Sequence, residues 1–176
     1  MMRAMSDRPS TYIEPFSLAA KGVTIERKVS LEAMQRLEEV VLGTQGEADV
    51  KLHFGLDPLR YRVMQGSIEA HVFMRCERCL DSMLVKVVAN VNAGLVKDNK
   101  QAKELPGEYE PLLLESDEPI SLLELVEDEL ILSLPIAPRH ESKESCIDMD
   151  KYKAKDECQE EKKNPFAALA ALKKKH

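Results

Sequence analysis

The stretch RYRVMQGSIEAHVFM, Arg60 to Met74, alternates apolar and polar residues over strand length, the period of a chain that buries one face of a sheet. The same period runs through EADVKLHFGL before it, from Glu47, and through SMLVKVVANVNAGLV after it, to Val96. Three such runs in succession predict antiparallel strands. Asp57-Pro58 and Gln65-Gly66 supply two of the turns. A third falls on RCERCL, which places Cys76 and Cys79 in a C-x-x-C pair between two strands.

Helical patterns flank these strands. In SLEAMQRLEEVVLG, Ser30 is placed as N-cap, Leu31, Met34, Leu37 and Val41 share one face, and Gly43 is the stop. In SLLELVEDELILSLP, Ser121 and Glu124 have capping-box spacing and Pro135 ends the run. There Leu122, Leu125, Val126 and Leu132 are expected to face the core, and Glu124, Glu127 and Asp128 to form a solvated acidic face. The stretch KDNKQAKELPGEYEP between the last strand and this helix reads as a polar loop. Residues 1–29 read as an extended or irregular segment. The expected fold is therefore α+β: an antiparallel, barrel-like sheet flanked by two helices over 30–138. A charged linker, 139–163, has too few apolar residues for a core. It leads to a terminal helix, 164–176, with Asn164 as N-cap, Pro165 at the first position and Phe166, Leu169 and Leu172 on one stripe.

The 176 residues carry a formal net charge of −6, with four Tyr, four Phe and no Trp. That balance excludes a broadly basic nucleic-acid binder and leaves little material for stacking single strands. The start lacks the apolar run of a signal peptide and no stretch reads as a membrane span, so a cytoplasmic protein without membrane contact is expected. No nucleophile elbow or phosphate-binding glycine loop is present, and His53, His71 and His176 suggest no role.

In a reducing compartment four cysteines are metal ligands, catalysts or bystanders sooner than a disulfide framework. Dithiol catalysis needs the first thiol at a helix N-terminus, and the Val-rich run after Cys79 reads as strand, which disfavours it. The metal reading is one structural zinc held by Cys76, Cys79, Cys146 and Cys158, with His140 as a substitute fourth ligand. Its alternative is four inert thiols.

Three groups of residues resemble the YceD family, also called large ribosomal RNA subunit accumulation proteins. They are CERCL after a strand, LPGEYEPLLLE leading into ISLLELVEDELILSLPIAPRH, and the terminal NPFAALAALKKK. The resemblance runs from about the first helix to the end. It implies a bacterial, cytoplasmic, non-enzymatic factor in ribosome biogenesis, supporting synthesis, processing or stability of large-subunit rRNA. Some relatives carry a denser cysteine cluster in the region of 139–163, similar to the second half of a zinc site, where this chain has only Cys146 and Cys158. The implied partners are large-subunit rRNA or its precursor ribonucleoprotein particle, and an assembly-factor protein. Two other functions fit the same residues: a regulatory adaptor acting through the terminal helix, and a zinc-dependent RNA-processing enzyme. Arg75, Arg78, Lys173, Lys174 and Lys175 are the expected anionic contacts, against solubility and helix-end charge compensation as the plainer explanation. Phe166, Leu169 and Leu172 either dock on the protein itself or are offered to a partner groove.

Overall fold

The structure, a computed structural model, describes residues 12–114, 119–141 and 146. The terminal helix expected over 164–176 and all of the linker except 139–141 and 146 lie outside the described residues, Cys158 among them.

The alternating runs form three long strands: β3 Glu47–Leu56, β4 Arg62–Arg75 and β5 Ser82–Val96. They pair antiparallel, with Val50 opposite Ile68 and Ile68 opposite Ala89. Val50, Leu52 and Phe54 therefore share the inner face with Met64, Ile68, Ala70 and Val72, and with Val87, Ala89 and Val91, and all are buried. Asp57-Pro58 makes the turn between β3 and β4. Gln65-Gly66 does not turn, because β4 runs unbroken through it and Gly66 lies between Leu52 and Val91.

Part of the segment read as extended or irregular is regular. β1 Tyr12–Ile13 leads into α1 Pro15–Lys21, which ends at Gly22 in the left-handed conformation. β2 Thr24–Ser30 then pairs with β3 and forms one edge of the sheet. The helix expected from Ser30 is broken: a 3-10 turn, Leu31–Ala33, passes through Met34 into α2 Gln35–Val40. Leu31, Met34 and Leu37 are still fully buried, so the apolar face survives the break.

The polar stretch after β5 contains a short helix, α3 Asn99–Glu104, capped by the Asp98 carboxylate, which accepts from the N–H groups of Lys100 and Gln101. This crossover brings β6 Glu110–Leu113 parallel to β5. The sheet order is β2-β3-β4-β5-β6, mostly antiparallel with one parallel edge. It stays open at β2 and β6 and does not close into a barrel. β7 Ile120–Ser121 pairs with β1, and α4 Leu122–Leu132 follows, with the Ser121 hydroxyl accepting from the Glu124 N–H.

α4 buries Leu122, Leu125, Val126 and Leu130. Leu132, expected in the core, is 80% exposed in the last turn. Glu127, expected in solvent, is 5% exposed. Its carboxylate reaches α2, accepting from the backbone N–H groups of Arg36 and Leu37 at 2.7 and 3.0 Å and from the Arg36 guanidinium. Among the described residues no helix is long and apolar enough to cross a membrane.

Candidate metal centre

The C-x-x-C pair occupies the turn that joins β4 to β5. The Cys76 N–H donates to the Asp81 carbonyl, and the Leu80 N–H to the Cys76 carbonyl. Closing this turn holds Leu80 at a φ of 65°, the left-handed region that a branched side chain visits reluctantly. The chain beyond α4 comes back to the turn, where the Glu77 N–H donates to the Pro138 carbonyl at 2.9 Å and Pro138 is buried. That contact delivers His140, and after it Cys146, to the two thiols.

Cys76, Cys79, His140 and Cys146 each offer a ligand atom, and these atoms all lie within 4.8 Å of one another. The Cys76 and Cys146 sulfurs are 4.0 Å apart. His140 Nδ1 lies 3.5 Å from the Cys79 sulfur and 3.4 Å from the Cys146 sulfur. Bonds of ~2.3 Å from zinc to sulfur and ~2.0 Å to imidazole nitrogen put the corners of a tetrahedron roughly 3.5–3.8 Å apart. The spacing fits that polyhedron, and three thiols with one imidazole are a donor set that zinc takes.

The surroundings prepare Cys76 as a thiolate. Burial pushes its thiol up, but backbone N–H groups of Cys79, His140 and Arg78, together with the Cys79 side chain, bring it down to about 5. The Arg78 N–H lies 3.4 Å from that sulfur. Cys146 moves the other way, raised by burial and by the neighbouring Cys79 and Cys76 sulfurs. Three sulfurs this close cannot all ionise without a cation among them, and a divalent metal removes that conflict.

Of the ligands expected from sequence, the structure brings together Cys76, Cys79 and Cys146 and makes His140 the fourth member. Cys158 lies outside the described residues, as do Phe166, Leu169, Leu172, Lys173, Lys174 and Lys175. Arg75 ends β4 and is exposed. Arg78 is half-buried, and its guanidinium is 3.7 Å from the Cys146 sulfur. One of the two arginines expected to meet RNA thus faces the sulfur cluster. The sequence signal that distinguishes His140 from the other histidines is its place just after Pro138, six residues before Cys146.

A family model described as Large ribosomal RNA subunit accumulation protein YceD matches residues 64–173. A curated protein of Haemophilus influenzae with the same name is 32% identical over 165 residues, covering 93% of this chain and 95% of the relative. No solved structure matches.

Proposed function

This chain belongs to the YceD family, and from that premise we propose that it is a non-enzymatic factor of large-subunit ribosome biogenesis. It acts in the cytoplasm on the synthesis, processing or stability of large-subunit rRNA. The observation that carries the reading is the likeness to a large ribosomal RNA subunit accumulation protein along nearly the whole of both chains.

The same reading assigns one structural zinc to Cys76, Cys79, His140 and Cys146. Four protein ligands fill a tetrahedral zinc, whereas a catalytic zinc keeps a position open for water or substrate. That completeness supports a structural ion and, with it, a protein that works by contact. The ion would tie the β4–β5 turn to the segment after α4, two parts of the chain some 60 residues apart, so its binding energy becomes folding energy for that end of the molecule.

The test is the ratio of large- to small-subunit rRNA in cells deleted for the gene. The deletion should lower the ratio and the intact gene should restore it. An unchanged ratio, with normal precursor processing, would remove the assignment.

A further inference from the structure

An apolar groove lies beside the turn that carries Cys76 and Cys79. After α2 the chain runs along the end of β4, where the Leu42 N–H donates to the Phe73 carbonyl at 2.7 Å and the Phe73 N–H to the Gly43 carbonyl at 3.2 Å. The chain beyond α4 is fixed nearby by the Glu77 N–H, which donates to the Pro138 carbonyl. These segments enclose a groove of about 340 Å³ lined by Val40, Val41, Leu42, Met74, Ile136 and Pro138. Backbone hydrogen bonds hold its walls, so the groove exists before anything enters it. Val40 is 53% exposed, Leu42 51% and Ile136 fully. Apolar side chains left in water together on one concave surface mark a place of contact.

The chain carries a matching stripe outside the described residues. Phe166, Leu169 and Leu172 recur at three-residue spacing in the helical pattern of 164–176, with alanines between them. A helix of that length is marginal alone in water and needs a surface to pack on. The point at which the chain leaves the described residues favours this surface. Cys146 has its sulfur 4.0 Å from that of Cys76, and Cys76 stands between Arg75 and Glu77, which both line the groove. Residues 147–165 separate Cys146 from Phe166. That tether has an extended reach of about 60 Å at ~3.3 Å per residue, and the groove begins beside its anchor. A segment held so close is presented at an effective concentration on the order of millimolar, so modest contacts suffice. Charge agrees. The lining has two carboxylates, Glu39 and Glu77, to one guanidinium, Arg75. Neither carboxylate has an ion-pair partner among the described residues, and the stripe is followed by Lys173, Lys174 and Lys175.

We infer that this groove is the docking site of the chain's own C-terminal segment. Phe166, Leu169 and Leu172 pack on Leu42, Met74 and Ile136, and the lysines that follow meet Glu39 and Glu77.

Hydrogen exchange of the full chain, read by mass spectrometry on peptides from 164–176, tests this. The wild type should exchange there at least about tenfold more slowly than the free peptide of the same sequence, equally at high and low protein concentration. Ile136→Asp and Leu42→Asp each put a charge into the groove through an exposed side chain. Each should return 164–176 to the free-peptide rate while β4 still exchanges slowly. Leu59→Asp, at another exposed leucine, in the β3–β4 turn at the far end of the sheet, should keep the protection. Free-peptide exchange in the wild type would overturn the inference, as would protection that survives both groove variants. Protection lost on dilution would assign the groove to a second copy of the chain, and equal loss in Leu59→Asp would reduce the effect to general destabilisation. Either result would overturn it too. None of these results touches the rRNA ratio in deleted cells, on which the broader reading stands or falls.

Discussion

A carboxylate withdrawn from water must find donors for both oxygens, or its desolvation destabilises the fold. Glu127 finds its donors on α2. Met34, at the N-cap of α2, has no side chain that can accept a hydrogen bond, and the first turn of any helix leaves N–H groups without partners. One Glu127 oxygen takes the N–H groups of Arg36 and Leu37, and so caps α2 from another helix, while the other receives the Arg36 guanidinium. Glu127→Ala should therefore lower unfolding free energy by about 2–4 kcal/mol through the two orphaned N–H groups alone. Chemical denaturation would read this as a lower midpoint at unchanged slope, and a loss under about 0.5 kcal/mol would show that water caps α2 equally well. Charge patterning places Glu127 in solvent with Glu124 and Asp128, because a helical wheel shows a charged face but not which neighbour supplies an Arg. The Ser121 cap was legible for the opposite reason: its partner, the Glu124 N–H, lies three residues away in the same helix.

At the scale of elements, period two identified the three long strands and their shared core face. It failed at Gly66, where Gln-Gly has turn composition but the backbone continues. A Cβ on Gly66 would lie 2.0 Å from the Lys51 carbonyl oxygen and 3.0 Å from the Leu52 Cα, so the glycine is there for close approach between strands and not for a reversal. Gly66→Ala must push β3 away from β4 in the middle of the sheet, and should cost about 3 kcal/mol or more. Gly107→Ala, where no atom lies within 4 Å of the added carbon, serves as the comparison and should stay close to wild type. Equal thermal stability of the two variants would refute the close-approach explanation. The helix expected from Ser30 splits at Met34, and the loop after β5 hides α3. Both elements are a turn or two long, and in so few residues tertiary contacts outweigh local propensity. The segment before residue 30 lacked a long period, yet β2 is an edge strand whose alternation is blurred by Arg27 and Lys28.

For the whole molecule, the long strand β4 sets the two ends of the sheet roughly 40 Å apart at ~3.3 Å per residue. One end gathers sulfur and imidazole from the turn at Cys76 and from the chain beyond α4. The C-x-x-C pair was legible because both thiols lie on one turn, and family likeness was legible in CERCL and LPGEYEP. The fourth ligand was not fixed by spacing, since both His140 and Cys158 are remote from Cys76 in sequence, and it is the contact of Glu77 with Pro138 that brings His140 in. Zinc content of the full-length protein, purified under reducing conditions without chelator, tests the metal centre most directly. Wild type and Cys158→Ser should each carry one zinc per chain, while Cys146→Ser and His140→Ala should lose most of it. Wild type free of zinc, or zinc that survives His140→Ala and disappears with Cys158→Ser, would contradict the assignment of Cys76, Cys79, His140 and Cys146 as its ligands.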